Sequence, residues 1–346
     1  MDEKQKADLK LVAWELTRSC NLACSHCRAS SERGPYPNEL TTKECFNFID
    51  EIVSFARPIM ILTGGEPLLR KDIFEIAEYG NKKGLVMVMA PNGTLLDVEN
   101  IKKIIASGVK RISVSLDGAD ALSHDNLRQV SGAFKKACEG INRAREAGLE
   151  FQINTIVTKR NIGSLPKIME LAKTLGAKAH HIFLLVPTGR AREMTGEELT
   201  PSEYEDTLKF LAEEKRRAHL EIKVTCAPHF NRILLQDHAA GASSLKGRGC
   251  MGGVGFCFIS HVGDVQPCGY LELNCGNIRK EPFKKIWDGS EIFNNIRDWG
   301  KYHGKCGSCE FKPVCGGCRA RAYAKYNDYL REEPYCAYEP KLKEKI

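Results

Sequence analysis

The feature that most restricts the fold is a strand–helix unit repeated about every 30 residues between residues 11 and 186. Short runs rich in apolar and β-branched residues, at 11–16, 58–62, 85–90, 111–116, 150–157 and 180–186, predict strands. They alternate with stretches of helical apolar spacing at 42–55, 71–83, 98–107, 134–147 and 162–175. The runs IMIL, VMVM, ISVSL and INTIV are nearly continuous in apolar or β-branched residues, as strands covered on both faces require. Thr41 or Thr42 supplies an N-cap for the first helix, and Gly84, Gly108, Gly148 and Gly176 stand where helices should stop. Such alternation specifies α/β structure with parallel strands and right-handed crossovers. No G-x-G-x-x-G follows the first strand, so the six units predict a partial (β/α)6 TIM-like barrel and not a dinucleotide-binding sheet.

In a β/α barrel the chemistry sits on loops beyond the strands' C-terminal ends. Those loops carry the unusual residues: cysteines after strand one, Gly64-Gly65-Glu66-Pro67 after two, Asn92 in PNGT after three, Asp117 in SLDG after four, and Asn161 in TKRN after five. Asn92 and Asn161 are also of a type that caps helices and closes turns.

The chain has 346 residues, 42% hydrophobic and 27% charged, an ordinary globular mix. No run approaches the ~18 apolar residues of a membrane helix, and the N-terminal MDEKQKADLK has no apolar signal core. A cytoplasmic protein with no membrane partner is the expectation. The net charge of +7 is thinly spread, densest at Lys215–Arg217 and the C-terminal tail, and no basic stripe interleaved with aromatics marks a nucleic-acid surface. Fifteen cysteines in such a chain point to bound metal, because thiols stay reduced in that compartment.

Three regions are expected: the barrel at 1–190, a helical linker at 191–245, and a cysteine-rich region at 246–346. The linker reads as a helix at 201–219 followed by a Gly/Ser-rich, mobile stretch at 239–248. The last region is rich in cysteine and glycine and poor in core residues, so its metal is expected to hold it together.

Cys20-x3-Cys24-x2-Cys27 places three thiols on one loop. Three thiolates can hold three irons of a [4Fe–4S] cluster and leave the fourth open to chelate an amino and a carboxylate group. The alternative is a zinc site completed by His26. In the C-terminal region Cys250, Cys257 and Cys268 precede Cys306-x2-Cys309-x5-Cys315-x2-Cys318, with Cys336 further on. These suit iron–sulfur clusters or, through their C-x2-C pairs, a zinc ribbon. Cys226 and Cys275 are spare thiols able to substitute as ligands, while Cys45 and Cys138 lie on helical faces as ordinary buried thiols.

The cysteine loop followed by GGEP resembles the radical S-adenosylmethionine (SAM) superfamily over residues 10–190. That resemblance implies reductive cleavage of SAM by the cluster held by Cys20, Cys24 and Cys27, with hydrogen abstraction by a 5′-deoxyadenosyl radical. It implies that Gly64, Gly65, Glu66 and Pro67 hold the methionine ammonium. Ser115 and Asp117 match ribose or carboxylate contacts, Arg128 the SAM carboxylate, His26 an adenine-stacking position, and Asn92 and Asn161 weaker SAM contacts. The C-terminal cysteines resemble the SPASM extension, which binds one or two auxiliary [4Fe–4S] clusters. Its interleaved pattern implies Cys250, Cys257, Cys268 and Cys318 on one cluster and Cys306, Cys309, Cys315 and Cys336 on the other. The last spacing is x2 where the family has x3.

Longer strings, among them AHHIFLLVPTGR and GFCFISHVGDVQPCGYLELNCGN, resemble the superfamily's haem-making branch, which modifies tetrapyrroles. The implied activity is oxidative decarboxylation of two propionates of Fe-coproporphyrin III to vinyl groups. A low-potential electron donor of flavodoxin or ferredoxin type would serve it. Arg28, His180, His181 and Arg190 are candidate anchors for the substrate's propionates. The rival readings are a didecarboxysiroheme deacetylase, a haem d1 enzyme, a peptide-modifying maturase and a non-catalytic zinc module. A maturase is expected to carry a peptide-recognition region before the first strand, where ten residues stand here.

Overall fold

The computed structural model describes residues 7–194, 196–217, 220–237 and 249–341. The stretch at 239–248 and the end of the helix expected at 201–219 lie outside the described residues. The predicted strands form as β1 (Leu11–Thr17), β2 (Ile59–Gly64), β3 (Val86–Met89), β4 (Ile112–Ser115), β5 (Phe151–Val157) and β6 (Ala179–Leu184). They are followed by β7 (Glu221–Thr225), β8 (Phe256–Ile259), β9 (Asp264–Gln266) and β10 (Gly276–Asn277). All ten make one sheet in the order β10-β9-β8-β1-β2-β3-β4-β5-β6-β7. The pairings from β8 through β1 to β7 are parallel, and only β8–β9–β10 is antiparallel.

Two features extend the sequence reading. First, β7 lies within the expected helical linker. Its residues alternate, with Glu221 and Lys223 exposed and Ile222 buried, as befits an edge strand and not the continuous apolar run of a central one. Second, the boundary expected near residue 245 does not interrupt the sheet. Leu11 pairs with Phe256 and Trp14 with Ile259, so the cysteine-rich region shares hydrogen bonds with the first barrel strand.

The helices of the barrel half are α1 (Thr42–Phe55), α2 (Ile73–Lys82), α3 (Val98–Ala106), α4 (Ala121–Arg128), α5 (Ala133–Glu146) and α6 (Leu165–Leu175). Then come α7 (Pro201–Arg217), α8 (Phe230–Gln236), α9 (Phe283–Gly289), α10 (Glu291–Arg297), α11 (Gly304–Ser308) and α12 (Arg319–Tyr326). Thr41 and Glu44 cap α1 reciprocally, and Gly176 closes α6 at φ +86°. The short α4 is polar and escaped the apolar-spacing criterion. No described helix is long and apolar enough to cross a membrane.

Alternation along each strand separates two faces. Val12, Trp14, Leu16, Met60, Leu62, Met87, Ile112, Val114 and Ile153 turn to the helices and are fully buried with Phe48, Ile49, Ile76 and Ile104. Trp14 meets Phe48 edge-on at 5.0 Å, and Phe48 meets Phe283 of α9 at 5.3 Å, so the C-terminal region also joins this core. The opposite face carries Glu15, Ser113, Ser115, Gln152, Asn154 and His181, a polar lining.

Arg70 fastens the entrance of this half. Its guanidinium donates to the carbonyls of Leu16 at 2.6 Å and Leu40 at 2.7 Å while pairing with Asp72. Arg70→Met should leave those carbonyls without donors, costing about 2–3 kcal/mol. The urea midpoint should fall at unchanged slope; an unchanged midpoint would mean that water replaces the guanidinium.

Candidate active site

The loop after β1 holds the three cysteines, and each sulfur faces a donor. The Leu22 amide points to Cys20 Sγ at 3.4 Å, the Ser31 amide to Cys27 Sγ at 3.4 Å, and Arg128 Nη1 to Cys24 Sγ at 3.6 Å. Donors aimed at sulfur suit thiolates in a cluster, whose potential such bonds tune. Burial pushes the metal-free Cys20 thiol up to about 12 and Cys24 upward as well, which iron would reverse by taking the ionised form. Among the described residues no three His, Cys, Asp or Glu side chains converge on a single metal ion.

The GGEP turn is built against this loop. The Gly65 amide donates to Thr17 O and the Glu66 amide to Ser19 O, both at 2.8 Å. A Cβ on Gly64 would lie 2.3 Å from Thr17 O, and one on Gly65 2.4 Å from Ser19 O. Neither glycine has positive φ, so their smallness admits the neighbouring backbone and no unusual dihedral is involved. Pro67 opens a 3-10 turn capped by Glu66, whose carboxylate accepts from the amides of Leu68 at 3.1 Å and Asn92 at 2.6 Å. Burial pushes Glu66 up to about 7, because only those amides and no cation face it. A buried carboxylate without a cation fits an incoming ammonium. The Asn92 side chain bridges Asn21 and Thr94, holding the turns after β1 and β3 together; Asn21 was not anticipated.

Asp117, at the end of β4, organises the other side. It is fully buried, pairs with Arg128 Nη2 at 2.6 Å, lies 3.4 Å from His26 Nε2, and accepts the Ile156 amide at 2.8 Å. Burial raises its carboxyl, but Arg128, His26, His124 and the Ile156 amide together outweigh this and hold it below the usual range. Burial lowers His26 to about 4, so the ring is neutral at pH 7 and suited to stacking. Arg128 thus spans Asp117 and Cys24, a partnership no spacing rule reveals. Asn161 spends its amide on Asp117 O and Ile156 O and its oxygen on the Thr158 amide, so it braces this loop. Ser115 lies on the polar face opposite Asn154.

The candidate propionate anchors separate into different roles. Arg190 donates to Cys24 O and Ser31 O at 2.8 Å each, supporting the cysteine loop from beneath, so it is not a free anchor. Arg28 pairs with Glu15 at 2.7 Å and lies 4.2 Å from the Phe258 ring centroid. Burial raises Glu15, but Arg28, His261 and Arg18 outweigh it and hold it at about 2. Adjacent histidines on β6 face opposite ways: His180 is buried beneath the sheet against Thr155 Oγ1 at 2.8 Å, while His181 joins Gln152 on the polar face at 3.0 Å. His181 keeps its Nε2 without a hydrogen-bond partner on that face, and Arg28 keeps a partly exposed guanidinium. An open cleft of about 510 Å³ lies beyond β6, lined in part by Thr188, Arg192, Tyr270, Tyr323 and Lys325.

In the C-terminal region Cys306, Cys309, Cys315 and Cys336 line one cavity. Donors again face sulfur: the Glu333 amide at 3.3 Å and Arg319 at 3.6 Å to Cys306, and the Gly317 amide at 3.4 Å to Cys315. Cys250, Cys268 and Cys318 gather separately. Cys257 does not join them: it is buried on β8 beside Cys275 and Arg297, contrary to the interleaved pattern.

The radical SAM superfamily profile matches residues 14–172, and that of the SPASM iron–sulfur cluster-binding domain matches residues 250–318. An AdoMet-dependent heme synthase of Methanosarcina barkeri is 51% identical over 340 residues, covering 96% of this chain and 97% of the relative. An Fe-coproporphyrin III synthase of the same organism is 31% identical over 348 residues, covering 94% and 87%. The crystal structure of Streptococcus suis SuiB bound to S-adenosylmethionine superposes with a TM-score of 0.75 at 15% identity, over 96% of this chain and 78% of that one, a likeness of fold alone.

The Glu66 environment sets a pH dependence. If Glu66 receives the SAM ammonium, as the resemblance implies, only its ionised carboxylate attracts it, and burial pushes that carboxyl up to about 7. SAM affinity should therefore weaken as pH falls from about 7 to about 5.5, and Glu66→Gln should bind more weakly and flatten that profile. Calorimetric titration of the cluster-loaded protein checks this; a variant keeping the full pH profile would remove Glu66 from the site.

Proposed function

The chain belongs to the radical SAM superfamily, and within it we propose that this protein oxidatively decarboxylates two propionates of Fe-coproporphyrin III to vinyl groups, giving haem b. As a superfamily member with a SPASM domain, it binds [4Fe–4S] clusters and SAM. The observation that carries the finer reading is near full-length identity of 51% to a heme synthase, against 31% to an Fe-coproporphyrin III synthase.

The bound cluster and SAM supply reductive carbon–sulfur cleavage and hydrogen-atom abstraction. This chain's residues position them. Glu66 faces the ammonium, His26 presents a neutral ring, and the polar face of Ser115, Asn154 and His181 leads toward the substrate. The cleft beyond β6 offers Lys325 to a tetrapyrrole's carboxylates, and Arg192 by exchange from Glu272, which it pairs at 3.0 Å, with Tyr270 and Tyr323 as apolar walls. Removing one hydrogen atom from the propionate β-carbon and releasing CO2 leaves one electron to be taken up as the vinyl double bond forms. Each propionate thus uses one SAM and needs one electron acceptor, a role suited to an auxiliary cluster with all its irons ligated. An external low-potential donor, of flavodoxin or ferredoxin type, supplies the electron for each SAM cleavage.

Anaerobic turnover with Fe-coproporphyrin III, SAM and a strong reductant should give, by mass spectrometry, two successive losses of CO2 with two hydrogens each. An unchanged porphyrin with SAM still cleaved would overturn the substrate assignment. Cys309→Ala should uncouple the reaction: 5′-deoxyadenosine still forms while vinyl product falls sharply relative to it. Circular dichroism and SAM affinity establish first that the variant is folded. A folded variant lacking auxiliary iron yet keeping the wild-type ratio would exclude the electron-acceptor role.

A further inference from the structure

Cys250, Cys268 and Cys318 need a fourth thiolate to saturate a cubane, and the chain pattern nominates Cys257. The fold removes it. In the parallel ladder Cys257 pairs with Val12 of β1, and it is fully buried in the core between sheet and helices. Its titratable neighbours are Cys275 and Arg297, and none of the three other thiols is among them. Moving it to them would turn β8 over and expose its apolar face.

Another thiol takes the place. Cys226 follows β7 directly, at φ +59°, one of five described non-glycine residues with positive φ. That left-handed step reverses the chain after the strand. Cys226, Cys268 and Cys318 pack in one cluster with Val186, Val254 and Leu271. Cys250 reaches the same spot: its Sγ and the Cys268 Cβ each stand 3.6 Å from the point where a Gly252 Cβ would be. The nearest charged influences on Cys226 are Cys318, Cys268, Arg321 and Cys250, so the other three thiols all surround it.

We propose that Cys226, with Cys250, Cys268 and Cys318, completes the thiolate set of one auxiliary iron–sulfur cluster, while Cys257 is a core thiol that binds no iron. Each of the four thiols gives its proton to solvent on taking iron, and no oxidation of the protein is involved. The set draws on the loop after β7, the segment before β8, the turn after β9 and the start of α12. The cluster would thereby tie the far edge of the barrel sheet to the C-terminal region. Cys226 lies outside residues 250–318 matched by the iron–sulfur profile, and spacing along the chain offers it only as a spare thiol. The inference rests on the iron–sulfur reading of this region and is independent of the tetrapyrrole.

The test uses the full chain with Cys20, Cys24 and Cys27 changed to Ala, reconstituted anaerobically, so that only auxiliary iron remains. This background should hold about eight irons, four per cubane. Adding Cys257→Ala should leave about eight, whereas adding Cys226→Ala should leave about four, with the Cys306 cluster as internal evidence of folding. A background without iron would defeat the iron–sulfur reading itself. About eight irons with unchanged electron paramagnetic resonance in the Cys226 variant, or loss of four in the Cys257 variant, would overturn the ligand assignment. Alkylation of the wild-type protein decides independently of variant folding. Cys226 should be protected until iron is chelated and then labelled; equal labelling before and after chelation would also overturn it.

Discussion

A buried ion pair, Asp117 with Arg128 at 2.6 Å, is the constraint on which the site depends. Burying either charge alone is costly, and a pair is tolerable only when its remaining valences are occupied. Here most are occupied by the parts that must be held, and Arg128 Nε has no hydrogen-bond partner among the described residues. Asp117 takes the Ile156 amide and approaches His26, and Arg128 turns its other nitrogen to Cys24 Sγ. The pair therefore fixes the end of β4, the start of β5's exit and the cysteine loop relative to one another. Asn161 closes the same network from the opposite side by holding the carbonyls of Asp117 and Ile156.

A second network joins the halves of the molecule. Glu15 on β1 meets Arg28 from the cysteine loop and His261 from beyond β8. Because β8 hydrogen-bonds to β1, this carboxylate sits where the barrel and the cysteine-rich region share one sheet. Tyr270 adds to the junction, feeling Cys27 and Arg28 on one side and Cys226 and Cys268 on the other. An auxiliary cluster built there is close to the first cysteine loop by construction, with no mobile connection needed between them.

Much of this was legible in the chain because it depends on local chemistry. Strand runs, helix caps and the cysteine spacing are short-range features, and the loops after successive strands must converge at one end of a parallel sheet. The histidines show where that reasoning stops. His180 and His181 are equivalent as letters, yet the strand's two-residue period sends one under the helices and the other to the polar face. Arg190 looks like a free cation in sequence but is engaged by two carbonyls of the cysteine loop, a contact across more than 150 positions.

The sequence by itself determined the α/β alternation, the placement of the first three cysteines and GGEP on adjacent loops, and the presence of enough clustered thiols for more than one metal centre. These follow from periodicity and spacing. Only the tertiary structure decided which thiols lie together, which cations are already paired, and that the C-terminal region extends the barrel sheet. Register is the reason. The pairing of β8 on β1 commits Cys257 to the core, and the turn after β7 brings Cys226 to the other three thiols, through contacts between segments that no spacing along the chain encodes.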